Sequence, residues 1–189
     1  MEGQRAGVVL AAGEPAMRNA QEIIDQVHAA FKDVPLPSAE ALWNDHCCEC
    51  SETSAAFGAR PWPDISLEGL LAGRETALLS EAAWRYYLPS MIIWCIRNPK
   101  VVDVIQENLV FQLAPPGTQE EWAWNWFKPR ASGFDRDQRL AIVAFLNWYK
   151  EEEEEHWSGL GAAPPDFAAR AITFWGSKAY PEFPIDTVK

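Results

Sequence analysis

The 189-residue chain carries 27 acidic and 16 basic side chains, which gives a formal net charge of −11 at pH 7. This balance argues against nucleic-acid binding, because contacts to phosphates need clustered lysine and arginine. Hydrophobic residues make up 48% of the chain, which excludes global disorder and suffices for the core of one domain. Ten tryptophans are an unusual number, and this residue is common both in cores and in binding surfaces.

We expect no targeting or membrane-spanning segment from the apolar runs of this sequence. The apolar run at residues 7–13 follows Glu2 and is only about half the length of the apolar part of a signal peptide. The apolar run at 91–96 is too short to span a bilayer. The clustered cysteines at 47, 48 and 50 do not resemble a secreted disulfide framework. We therefore expect a soluble protein of the reducing cytoplasm, with no membrane partner.

The first helix is predicted after a flexible extension. Residues 1–16 lack periodicity, and Met17 is an alternative natural start to Met1. Asn19 and Glu22 have the spacing of a capping box, and apolar residues follow at helical intervals. This helix is predicted to end near Asp33, before a proline pair.

The rest of the chain is organised around the apolar segment Leu78–Leu113. Pro89 and Pro99 each suit the first turn of a helix and not its interior, so this segment is predicted to form three linked helices. Asp135 and Gln138 have the spacing of a second capping box. The helices predicted after the first one cover residues 38–57, 66–71, 80–88, 89–97, 99–113, 135–150 and 166–175.

Trp122, Trp124 and Trp126 alternate along the stretch that is hardest to assign. A period of two indicates a strand with one aromatic face, but no partner strand is evident, and a lone strand is not stable. A short helix or an aromatic-rich loop is therefore an equal alternative. These tryptophans are our predicted partner-binding residues, because tryptophan is a common interface anchor. The competing interpretation is that they cover the core like a lid.

These elements predict an all-α, single-domain bundle of about six to eight helices over residues 17–176, with an irregular or β segment near 120–130 as the alternative there. Residues 177–189 are predicted to form an extended tail. The five glutamates Glu151–Glu155 are predicted to extend or fray the helix before them, as a solvated face.

A metal site is the sharpest chemical candidate in the sequence. On a helix, His46, Cys47 and Cys50 fall on one face, and a fourth ligand such as His28 or His156 would complete a zinc site. The alternative is a set of buried thiols, which we favour because a second closely spaced ligand pair is missing. A redox pair at Cys47 and Cys50 is a further alternative, although the chain lacks a thioredoxin-like βαβ pattern.

Five short segments carry a resemblance to a known family. They are AFKDVPLP at 30–37, CCEC at 47–50, WPDI at 62–65, LLSEAAWRYYLPSMI at 78–92 and DRDQRLAIVAFLNWY at 135–149. In order and spacing they resemble an uncharacterised family of small bacterial proteins, a domain of unknown function. The resemblance implies a compact α-helical bacterial protein and transfers no activity. The chain departs from the family pattern in its N-terminal extension, in a tryptophan-rich insert at 120–127 and after residue 150.

The RYYLP segment within this resemblance has two interpretations. In the first, Tyr86 and Tyr87 brace a helix junction with their rings and hydroxyls, while Arg85 pairs with Glu49 or Glu52. In the second, Arg85, Tyr86, Glu49 and His46 form a polar site. We favour the brace, because buried charges normally need partners.

No established catalytic signature is present. The sequence lacks a nucleophile elbow, an HExxH pair and a phosphate-binding glycine-rich loop, so no residue is assigned as catalytic or cofactor-binding. We predict a non-catalytic acidic bacterial binding protein, such as an immunity or inhibitor protein that neutralises a more basic toxin. The alternative is a metal- or thiol-dependent enzyme centred on residues 46–50, for which zinc is the one cofactor considered.

Overall fold

The structure is a computed structural model that describes residues 15–42, 50–118, 120–160 and 166–177. The described part contains eight α-helices and no β-sheet, so the predicted all-α fold is confirmed. The helices are α1 (Pro15–Phe31), α2 (Cys50–Phe57), α3 (Leu67–Ala72), α4 (Glu81–Arg97), α5 (Asp103–Leu113), α6 (Glu121–Ala131), α7 (Arg136–Leu160) and α8 (Phe167–Gly176).

Helix α4 is the centre of the fold. Twelve of its 17 residues are buried, and it packs against α1, α5, α6 and the short 3-10 turn at Trp62–Asp64. A helix that is apolar on all sides must be enclosed by its neighbours. Its start matches the prediction, because the Ser80 hydroxyl caps the helix by accepting the Ala83 N–H at 3.1 Å.

Pro89 does not separate two helices, as the sequence suggested. It lies inside the continuous helix α4, where its missing N–H deprives the Arg85 carbonyl of a helical partner. Burial of α4 on all sides outweighs this local loss. The predicted helix start at Pro99 is also wrong, because Asn98 is the C-cap of α4, and α5 begins only at Asp103.

The N-terminal elements agree with the prediction in part. Helix α1 begins at Pro15, earlier than the capping-box pattern indicated, and it packs against α4 and α7. The predicted helix at 38–57 corresponds to a 3-10 turn at Ala39–Ala41 and to helix α2, while residues 43–49 lie outside the described part. Helix α3 forms as predicted, with the Ser66 hydroxyl as its cap.

Helix α7 begins at the predicted capping box. The Asp135 N–H donates to Gln138 Oε1 at 3.2 Å, and the Gln138 N–H donates to Asp135 Oδ1 at 2.9 Å. The helix continues through Glu151–Glu155 to Leu160, so the glutamates extend it. Their side chains are exposed or half-exposed, as expected for a solvated face.

Helix α8 closes the core beside α5 and α7. The Trp175 indole N–H donates to the Leu113 carbonyl at 2.7 Å, and the Phe174 ring lies 5.0 Å from the Phe127 ring. These contacts join the C-terminal helix to α5 and α6. Within the described ranges, no helix combines the length and the apolar character that crossing a membrane requires.

Candidate functional site

The three alternating tryptophans lie on helix α6, so the β alternative near residues 120–130 is wrong. Alternation over five residues is too short a pattern to distinguish a strand from a helix. In a helix the side chains advance by about 100° per residue, so the tryptophans point in different directions. Their environments therefore differ, and each must be considered by itself.

Trp122 is 71% exposed, whereas Trp124 and Trp126 are partly buried and pack against the core. The Trp124 ring meets Phe127 edge to face at 6.0 Å. The Arg130 guanidinium lies over the Trp126 ring, 4.2 Å from its centroid. The lid interpretation therefore describes Trp124 and Trp126. Of the three predicted partner-binding residues, Trp122 presents the most surface to a partner.

The exposed indole of Trp122 is hydrogen-bonded to one carboxylate and follows a second one in the chain. Its N–H donates to Glu120 Oε2 at 3.0 Å, and Glu121 precedes it in the first turn of α6. This hydrogen bond restrains the indole next to a negative charge. An exposed aromatic face beside carboxylates suits a guanidinium or an ammonium group, through cation–π attraction and ion pairing.

The predicted zinc site cannot be placed, because His46 and Cys47 lie outside the described residues. Cys50 is the first residue of α2, but its side chain is also outside the described part. In the part of the chain that the structure describes, no group of three or more His, Cys, Asp or Glu side chains is arranged to hold a metal. Cys95 is buried in α4, and this burial strongly raises the pKa of its thiol. The zinc site stays a prediction.

The tyrosines of the RYYLP segment are buried and bond to backbone groups as predicted, but they do not brace a helix junction, because α4 is continuous at Pro89. They brace the segment at 57–62 against α4 instead. The Tyr86 hydroxyl accepts the Trp62 N–H at 3.3 Å. The Tyr87 hydroxyl lies 3.2 Å from the carbonyl oxygens of both Phe57 and Arg60. Both side chains are buried, so these bonds satisfy backbone groups that water cannot reach.

The brace continues along the same side of α4. Ser90 Oγ donates to the Trp62 carbonyl, and the Trp94 indole N–H donates to the Ile65 carbonyl at 2.8 Å. Residues at positions 86, 90 and 94 are four apart and therefore share one helical face. That face holds the WPDI loop at 62–65 against α4. Two of the five segments that carried the family resemblance thus contact each other for a structural reason.

A family model matches residues 19–176, more than half of the chain, and its family is DUF6714, a family of unknown function. The chain belongs to DUF6714. The match confirms the resemblance to an uncharacterised family, and it extends beyond Tyr149 to the end of α8. No curated protein and no solved structure shows a significant match.

In this DUF6714 protein, Arg85 contacts the turn between α6 and α7, and its pairing with Glu49 or Glu52 stays a prediction. Its guanidinium Nη1 donates to the Ser132 carbonyl at 3.1 Å, in the turn between α6 and α7. The partners proposed from the sequence, Glu49 and Glu52, have side chains outside the described part. Arg85 therefore links α4 to a different region of the chain than Tyr86 and Tyr87 do.

We expect Tyr87→Phe to lower the free energy of unfolding at pH 7 by about 1–2 kcal/mol, because buried carbonyls lose their donor. Between neutral and alkaline pH, the variant should also lose less stability than the wild-type protein does. Burial raises the pKa of Tyr87 to about 12 from an ordinary value near 10. The unfolded chain therefore releases this proton first, so the stabilisation is fully present below about pH 10 and is lost as the pH rises through about 12.

Urea denaturation of both proteins at pH 7 and at several pH values from 10 to 12 tests this expectation. The free-energy difference between the proteins should shrink across the alkaline range. If the free-energy difference between the two proteins stays constant from pH 7 to pH 12, the hydroxyl is not held as the structure indicates.

Proposed function

We propose that this DUF6714 protein is a non-catalytic binding protein that docks on a more basic protein, as an immunity or inhibitor protein docks on a toxin. The observation that supports this most directly is the 71% exposure of Trp122 beside Glu120 and Glu121. The proposal includes a cytoplasmic location, the reducing compartment that the cysteine pattern favours.

A basic partner would gain two kinds of interaction at this surface. An arginine or lysine stacked on the Trp122 ring contributes about 0.5–2 kcal/mol, with the larger value when water is excluded. The same cation would pair with the carboxylate of Glu120 or Glu121. Buried tryptophan anchors often dominate the binding energy of an interface, so one such contact has a measurable effect.

The charge of the whole protein supports the same partner class. The formal net charge of −11 attracts a basic protein and raises its association rate, since an acidic field steers positive partners. Glu151–Glu155 on α7 contribute to that field. This long-range component should weaken with salt, because the screening length is about 8 Å at 0.15 M ionic strength.

Affinity capture from the native host at about 50 mM salt tests the proposal, with wild type and Trp122→Ala as baits. Val104→Ala is the matched control, because Val104 is an apolar side chain, 61% exposed, on a different helix. Wild type and the Val104 variant should retain the same basic protein. Once the captured basic protein has been purified, the Trp122 variant should bind it at least about tenfold more weakly than wild type does.

Two further measurements separate a specific contact from general charge attraction. The Glu120→Gln/Glu121→Gln variant should bind more weakly than the Glu68→Gln/Glu75→Gln variant, which removes the same number of charges elsewhere. Melting of the Trp122 variant should change little, because exposed substitutions typically shift stability by about 0.5 kcal/mol or less. Recovery of no basic protein at low salt, or equal binding by wild type and the Trp122 variant, would overturn the proposal.

A further inference from the structure

An open groove of about 750 Å³ lies between the segment that follows α1, helix α4 and the turn from α6 to α7. This volume falls in the range of about 300–1,000 Å³ that is typical of small-molecule sites. Apolar side chains make up much of its lining, and Leu36 is 41% exposed there. The apolar members include Val34, Pro35, Leu36, Pro37 and Phe134.

Arg85 lines this groove as a cation held in place by the backbone. Its Nη1 donates to the Ser132 carbonyl at 3.1 Å, and it lies directly against Gly133. A Cβ atom at Gly133 would be only 1.9 Å from this nitrogen, and the φ of +80° also favours glycine. Gly133 therefore provides the space that the guanidinium occupies.

In the part of the chain that the structure describes, no ion pair balances the charge of Arg85. Within the described residues, its guanidinium makes no other hydrogen bond and no salt bridge to a carboxylate. This is notable in a protein with 27 acidic residues. Other arginines do have carboxylate partners: Arg74 with Glu75 at 3.7 Å, Arg130 with Glu81 at 4.0 Å and Arg170 with Asp166 at 3.3 Å.

We propose that this groove binds a small organic monocarboxylate with an apolar body. The carboxylate would pair with the Arg85 guanidinium, whose remaining N–H groups offer the forked geometry that a carboxylate accepts. The apolar body would lie against the wall formed by residues 34–37. This site is separate from the surface around Trp122 and does not depend on the function proposed for it.

The other charges of the groove limit the ligand to one negative charge. Asp33, Asp135 and Asp137 line it and are exposed. Asp33 lies 4.0 Å from Lys32 Nζ, and Asp135 accepts the Gln138 N–H as the cap of α7. These carboxylates would repel a phosphate or a dicarboxylate, whereas a single carboxylate can reach Arg85 with an uncharged remainder near them.

Isothermal titration calorimetry with 3-phenylpropionate, octanoate and butyrate tests the proposal. At least one of these acids should bind, and the amide and the amine of the same carbon skeleton should bind at least about tenfold more weakly. The amide keeps the size of the acid and removes its charge, while the amine reverses the charge. The comparison therefore isolates the contribution of the carboxylate.

Arg85→Gln should weaken binding of the acid at least about tenfold, and Arg85→Lys should restore only part of it, because lysine lacks the planar fork. Arg97→Gln is the matched control, since Arg97 is exposed on the same helix. Gly133→Ala should also weaken binding by displacing the guanidinium. Its control is Gly159→Ala, where an added Cβ meets no atom within 4 Å.

Thermal melting of each variant shows whether it remains folded, and the Arg85→Lys variant provides a second test if the glutamine variant is unstable. Several outcomes would overturn the proposal: tighter binding of the amine, equal binding of acid and amide, acid binding that Arg85→Gln leaves unchanged, or no binding of any of the three acids.

Discussion

Arg130→Ala is expected to lower the free energy of unfolding by about 3–5 kcal/mol, because it removes three hydrogen bonds from a buried guanidinium together with the packing of the side chain. Arg130 is 2% exposed on α6. Its Nη2 donates to the carbonyls of Ala77 and Leu79 at 3.1 and 3.0 Å, and its Nη1 donates to Trp126 at 3.3 Å. The guanidinium thus connects α6 to the segment that leads into α4.

The ion pair with Glu81 adds little to this expectation, because the two groups are 4.0 Å apart and the Glu81 side chain is 38% exposed. Burial lowers the pKa of Arg130, and Glu81 opposes that shift. The guanidinium nevertheless stays charged at any ordinary pH. The loss on substitution should therefore come from hydrogen bonds and packing.

Urea denaturation measures the effect, with Arg74→Ala as the control. Arg74 has a side chain that is 71% exposed and pairs with its neighbour Glu75, so its removal should change stability by about 0.5 kcal/mol or less. Arg130→Lys should still be strongly destabilised, since a lysine cannot serve three separate carbonyls with the same fork. Equal stability of the Arg130 and Arg74 alanine variants would contradict this account.

Trp84→Ala should lower the free energy of unfolding by about 3–5 kcal/mol, through a large cavity and a broken polar network. Trp84 is 1% exposed in α4, and its indole N–H donates to Gln112 Oε1 at 2.8 Å. The Gln112 amide in turn donates to Thr76 Oγ1 at 3.0 Å. Without the indole, the buried Gln112 oxygen loses its donor.

Trp122→Ala is the control, because it makes the same chemical change at an exposed position and should have little effect on melting. Trp84→Phe should give an intermediate loss, since it keeps most of the volume and removes only the hydrogen bond donor. If the Trp84→Phe variant is as stable as wild type, the network with Gln112 contributes nothing to the free energy of unfolding.

Much of the fold was predictable from short-range patterns. Capping residues act on backbone groups within three residues of themselves, so Ser80 and the pair of Asp135 and Gln138 mark helix starts regardless of the remainder of the chain. Apolar periodicity likewise identified the helices that carry the core. These signals are local, and local signals are present in the sequence itself.

Pro89 shows where local reasoning failed. A proline interrupts a helix by removing one hydrogen bond and crowding the preceding turn. That penalty is a few kcal/mol, whereas α4 buries large side chains such as Trp84, Tyr87 and Met91 completely or almost completely. Enclosure by neighbouring helices decides the outcome, and no pattern within the segment itself reports how many neighbours it will have.

The candidate sites depend even more on long-range packing. The sequence singled out Trp122, Trp124 and Trp126 together, yet their difference in exposure follows from which side of α6 meets the core. Gly133 was not among the predicted site residues, although a glycine between a helix end and a capping box is a signal of a tight turn. Its contact with Arg85 joins positions far apart in the chain.

The amino-acid sequence by itself determined the helical class, the starts of α3, α4, α7 and α8, the acidic net charge and the membership in DUF6714, because each depends on composition or on neighbouring residues. Only the tertiary structure decided that Pro89 stays inside one helix, that Trp122 faces solvent and that Arg85 enters a groove without a carboxylate partner among the described residues. These features arise where separate helices meet, and burial there outweighs local preferences.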